Sequence, residues 1–87
     1  MEISELRNGI DAIDSQLTAL FLQRMALSAQ IGAYKKERGM PIYVPQREQE
    51  IIEKLSQNVP EALAPYVKGL YAQIFALSRE YQKDLEG

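Results

Sequence analysis

The sequence predicts an all-α chain of three helices: a very long first, a short second and a medium third. Three observations predict this. Apolar residues at Leu6, Ile10, Ile13, Leu17, Leu20, Leu27, Ile31 and Tyr34 recur in a four–three alternation, the spacing of a helix that packs along one seam. Gly39, Pro41, Pro45 and Pro60 punctuate the chain between periodic stretches, where helices stop and start. No stretch alternates as a strand does; Ile42-Tyr43-Val44 is too short and is closed by Pro45.

The first helix is expected from Ser4, a good N-cap, to Arg38, with Gly39 as a left-handed cap. That is about 35 residues, or ~50 Å at 1.5 Å per residue, longer than the rest of an 87-residue chain can cover. Oligomerisation would help so small a chain bury its surface. Gly9 and Gly32 each weaken the helix by up to ~1 kcal/mol; both read as close packing, and Gly32 also as room for a ligand. Pro45 opens the second helix, with Glu48, Ile52 and Leu55 on one face and Arg47 over Ile51. Glu50 and Lys54 form an outward pair. Pro65 lies in the first turn of the third helix, which is expected to end near Asp84. Its core line is Val67, Leu70, Ile74, Leu77 and Tyr81; a neighbouring line, Tyr71, Phe75, Ser78 and Gln82, starts aromatic and ends polar.

Composition narrows the chemistry. Eighty-seven residues make one domain, residues 1–87. With no Cys and no His, the usual zinc sites and the Ser/His and Cys/His nucleophile pairs are excluded, and no cofactor or metal is expected. A formal charge of −2 argues against a nucleic-acid partner. No run reaches membrane-spanning length and the N-terminus lacks a signal-peptide pattern, so a reducing cytoplasm and no membrane partner are expected.

Polar groups interrupt every apolar face. Arg24 fills the one vacancy in the seam of the first helix, where burying a charge is expensive unless it is paired. By itself it reads equally as a residue that sets helix register or snorkels to solvent. Lys35 follows by nearly three turns on the same face, ~16 Å along the axis, and the two could clasp a small anion; Lys35 alone reads as a partner of the helix dipole. Arg7 precedes Arg24 by roughly 25 Å. It could serve the same ligand only from a second, antiparallel copy, and alone it reads as a surface pair with Asp11. Glu48 and Arg47 stand at the entrance of the second helix's apolar face, and Ser78 and Gln82 lie one turn apart on the third.

These residues, in this order and spacing, resemble the all-helical chorismate mutases over nearly the whole chain. The matching pieces are Leu6-Arg7, Ile10-Asp11, Ile13-Asp14, Leu17, Leu20, Arg24, Ile31-Gly32 and Lys35. They continue through Gly39, Pro41-Ile42, Pro45, Arg47-Glu48, Ser78-Arg79 and Gln82. The resemblance implies an intertwined homodimer in which the long first helices pair and each site borrows Arg7 from the partner chain. It implies that Arg24 and the borrowed Arg7 bind the two carboxylates of chorismate, and that Ser78 assists. Lys35 and Gln82 would face the ether oxygen, Glu48 would hold the ring hydroxyl, and Arg47 would add positive field. One position departs from the family pattern. Val44 stands where Asp is common before the second helix, which removes an N-cap worth about 1 kcal/mol and a loop contact to the hydroxyl. An isochorismate pyruvate-lyase on the same scaffold, and a non-enzymatic helical dimerisation or regulatory module, are the alternatives.

Overall fold

A computed structural model describes residues 2–86. It contains α1 (Ile3–Glu37), α2 (Pro45–Ser56) and α3 (Ala64–Glu86), with a 3-10 turn at Glu61–Leu63 leading into α3. The all-α, three-helix expectation holds, and there is no strand among the described residues.

Boundary residues set these limits. Helix α1 begins one residue before the expected cap. Glu2 is the N-cap and makes no side-chain cap bond, while its carbonyl accepts from the amides of Glu5 at 3.1 Å and Leu6 at 3.3 Å. At an exposed terminus water can satisfy the remaining amides, so Ser4 is not needed there. The other end stops as expected. Gly39 adopts φ +65°, Met40 N–H donates to the Lys35 carbonyl at 2.8 Å and Gly39 N–H to Lys36 at 3.3 Å. This pair of bonds closes a helix through a left-handed residue. Pro45 occupies the first turn of α2 behind Val44, which offers no side-chain cap. Helix α3 runs two residues past Asp84, and its start is set by the Pro60 carbonyl, which accepts from Leu63 and Ala64.

Helix α3 packs against both α1 and α2. The half of α1 that it covers is the C-terminal one; every residue from Glu2 to Leu20 is exposed. The expected seam is therefore open, with Leu6 through Tyr34 between 49% and 60% exposed. A different stripe faces α3: Phe21, Met25, Ser28 and Gly32, about 80° round the helix at 100° per residue. Arg24 and Lys35 lie at the edge shared by the two stripes. On α3 the expected order is reversed. The line Tyr71, Phe75, Ser78, Gln82 is the buried one, whereas Leu70, Leu77 and Tyr81 of the expected core line stay open. The greasier face of α1 and of α3 is the one its own chain does not cover.

The shape follows from this. The radius of gyration is 16.0 Å, against ~12 Å for a compact chain of this length. The accessible surface is 6974 Å², against roughly 5,200 Å² for a compact monomer of this mass. The outward pairs are not formed: among the described residues the ion pairs are Arg38–Glu37 and Arg79–Glu48, with neither Glu50–Lys54 nor Arg7–Asp11. No helix of the described residues is long and apolar enough to cross a membrane.

Candidate active site

The buried stripe of α3 ends in two hydrogen-bonding residues, Ser78 and Gln82, only 6% and 7% exposed. Buried polar groups need partners, and α1 supplies them. Arg24 Nη1 donates to Ser78 Oγ at 3.2 Å, and its guanidinium lies 5.3 Å from the centroid of the Phe75 ring, within cation–π range. The charge in the seam is thus held at its edge by a hydroxyl and an aromatic face, with most of its five donors uncommitted. The hydroxyl also lies 3.7 Å from Met25 Sδ. Gln82 Nε2 donates to the Ser28 carbonyl at 2.8 Å. A carbonyl can only accept, so this contact fixes which end of the amide faces α1 and leaves the second Nε2 hydrogen free.

Gly32 makes that contact possible. A Cβ there would lie 2.9 Å from Gln82 Cγ and 3.3 Å from its Cβ. The room at Gly32 is taken by Gln82. Gly9, by contrast, has no neighbour within 4 Å in its own chain.

Lys35, one turn beyond Ile31 and two beyond Ser28, reaches the loop between α1 and α2. Its Nζ donates to the Ile42 carbonyl at 3.3 Å, and two ammonium hydrogens remain for another acceptor. The first turn of α2 brings Glu48 inward and leaves Arg47 exposed at the rim. Arg79 of α3 meets Glu48, with Nη1 2.5 Å from each carboxylate oxygen, and Tyr43 lies against the guanidinium at 4.3 Å.

These side chains enclose a cavity of about 420 Å³, the size of a small-molecule site. Arg24, Lys35, Arg47, Glu48, Ser78 and Gln82 all line it, and so does Val44. Ile31, Ile42, Ile51 and Phe75 supply apolar walls, in which charge–charge contacts are stronger than in water. Arg7 is the one expected site residue that this chain does not bring there; it stays exposed near the start of α1. Arg79, Ser28 and Phe75 also line the cavity and were given no role from the sequence. Phe75, Arg79 and Gln82 follow four–three spacing, a signal that could have placed Arg79 beside the other two. The cavity combines three cations with one carboxylate that already has its own cation. Such a site can grip a small dianion and donate to an oxygen that becomes negative, without a nucleophile.

Comparison with known proteins gives the same answer from sequence and from shape. The family model described as chorismate mutase type II matches residues 6–83. The crystal structure of chorismate mutase from Helicobacter pylori in complex with prephenate is 37% identical. It covers 94% of this chain and 90% of its own, with a TM-score of 0.85. The chorismate mutase of Methanocaldococcus jannaschii is 28% identical over 98% of this chain and 84% of its own length. The bifunctional chorismate mutase/prephenate dehydratase of Aquifex aeolicus is 44% identical over 62% of this chain, and the match spans only 15% of that longer protein.

Proposed function

Because the chain belongs to the chorismate mutase type II family, we propose that it rearranges chorismate to prephenate, a step toward phenylalanine and tyrosine, in the cytoplasm. The observation that carries the proposal is the convergence of Arg24, Lys35, Ser78, Gln82 and Glu48 on one cavity. The relative from Helicobacter pylori, similar over nearly its whole length, binds prephenate.

The reaction breaks a C–O bond as a C–C bond forms within one molecule. Atoms and charge balance without a metal, a nucleophile or a proton transfer, so a chain lacking His and Cys can catalyse it. Two things are required. The substrate must be held folded, with its reacting ends together, and the negative charge growing on the ether oxygen must be met by donors. Arg24 binds one carboxylate through its planar fork, assisted by Ser78. Lys35 gives the ether oxygen a full positive charge and Gln82 gives it the second Nε2 hydrogen. Glu48 accepts from the ring hydroxyl, and Arg47 adds positive field at the rim.

The second carboxylate calls for another cation, and we assign Arg7 of a second copy. The open seam supports this. An antiparallel α1 centred near Leu17 would set its N-terminal half against the exposed Leu27 and Ile31 and carry Arg7 toward Arg24. It would also cover the apolar groove between Leu17, Leu20 and Phe21 of α1 and Leu70, Ile74 and Leu77 of α3. The surface in excess of a compact monomer, on the order of 1,800 Å² per chain, is more than a standard interface takes from each partner.

Incubating the purified protein with chorismate, and separately with isochorismate, tests the reading. Prephenate from the first is expected. Pyruvate released from the second, with chorismate untouched, would establish the lyase alternative, and no turnover of either would leave the non-enzymatic module.

Gly32→Ala gives a finer test. The added methyl displaces Gln82, so kcat is expected to fall by roughly tenfold or more, as when one transition-state donor is weakened. Overpacking and improved helix propensity oppose each other, so Tm should move little. In a Gln82→Ala background the same substitution should have no further effect on kcat. An equal effect in both backgrounds would mean that Gly32 acts through something else.

A further inference from the structure

We propose that Arg79 is a positioning residue that makes Glu48 the reader of the substrate's ring hydroxyl, and so sets which hydroxylated dianion the site accepts. This rests on the proposed mutase reading. Three observations carry it. Val44 lines the cavity where a carboxylate could have stood, which leaves Glu48 as the only carboxylate on its wall among the described residues. A carboxylate in a site built for a dianion repels its own ligand unless a cation offsets it, and Arg79 meets both Glu48 oxygens at 2.5 Å. The two side chains, 27% and 21% exposed, are held between elements: Glu48 on α2, Arg79 on α3, and Tyr43 of the loop between α1 and α2 lying against the guanidinium at 4.3 Å.

Arg79 therefore does two things for Glu48. It offsets the charge, and it fixes the carboxylate in one place, so that the remaining lone pairs point at one ring position. A hydroxyl there gains a hydrogen bond. A substrate with no hydroxyl there leaves the acceptor unmatched, and a site built around a polar partner rejects ligands that lack it. Arg79 reaches the substrate only through Glu48.

The test is a ratio that cancels any general loss of positive field or stability. For wild type and variants, kcat/KM is measured for chorismate and for a chorismate analogue lacking the ring hydroxyl. Arg79→Gln is expected to lower the chorismate-to-analogue ratio by about tenfold, the scale of one hydrogen bond to a charged group, toward the value of Glu48→Ala. In the Glu48→Ala background Arg79→Gln should leave the ratio unchanged. A ratio within twofold of wild type in Arg79→Gln, with both substrates slowed alike, would overturn the assignment and leave Arg79 as scaffold. If circular dichroism shows that Arg79→Gln does not fold, Tyr43→Leu takes its place at an exposed position. It should lower the ratio in the same direction by about threefold, a part of the hydrogen-bond effect, and an unchanged ratio would overturn the assignment. A wild-type protein inert on chorismate overturns the catalytic reading and this assignment with it; an active wild type beside an unaffected variant overturns the assignment alone.

Discussion

Lys35→Ala is expected to lower chorismate turnover by roughly 10²–10³-fold, the range for losing one donor aimed at developing charge, while the helical fold survives. The two parts of the expectation have separate causes. Lys35 is only partly buried, and among the described residues its ammonium donates to the Ile42 carbonyl, which water can satisfy when the lysine is gone. The stability change should therefore stay near ~1 kcal/mol. Turnover depends on something water does not replace: a full positive charge fixed in a partly apolar cavity before the reaction begins. Because the ether oxygen is far less charged in the ground state than in the transition state, the loss should fall mainly on kcat and only weakly on KM. Steady-state kinetics with a circular dichroism control checks both parts, and near-normal kcat would remove Lys35 from its assigned role.

Gln82→Glu should make both activity and stability depend on pH. The side chain at this position is buried and within 2.8 Å of the Ser28 carbonyl. A carboxylate there would lose solvation and face another acceptor, so the folded protein holds the carboxyl protonated to a higher pH than the unfolded chain does. The variant is then most stable in acid. Its stability falls as pH rises above the unfolded value of about 4.3 and levels off past the raised folded value. Activity follows the same direction, because only the protonated acid can donate to the ether oxygen. At neutral pH kcat should be lower than wild type by roughly 10²-fold, with partial recovery in acid. Recovery is partial because a carboxylic acid has one proton where the amide has two, and the Ser28 carbonyl competes for it. A pH–rate profile of the variant parallel to that of wild type would count against Gln82 facing the reacting bond.

The fold was largely legible in the sequence because its signals are local. The seam of α1, the left-handed Gly39 and the helix-opening Pro45 each act over a few residues and sit where the spacing puts them. Which stripe of each helix its own chain would cover was not legible. Hydrophobicity measures how strongly a face avoids water and says nothing about which neighbour removes it. Leu70 and Leu77 are greasier than Ser78 and Gln82, yet the polar pair is buried because Arg24 and the Ser28 carbonyl wait on α1. Much of the candidate site was visible as polar interruptions of apolar faces, and the resemblance gave those interruptions their roles. Two features lay beyond that reach. The partnership of Arg79 with Glu48 joins residues 31 positions apart, and no periodicity on either helix reports it. Gly32 serves Gln82, 50 residues away, and only the crossing of α1 by α3 shows that a methyl there would collide with a side chain.

The proposed dimer completes each site with Arg7 from a second copy of the chain. Co-expressing Arg7→Ala with Arg24→Ala tests it most directly. Each variant alone should be nearly inactive, since every site lacks one arginine. In a mixed dimer of twofold symmetry, one site has both substitutions and the other has neither, so random assembly should restore roughly a quarter of wild-type activity. A mixture no more active than the sum of its two components would show that Arg7 is not shared between chains.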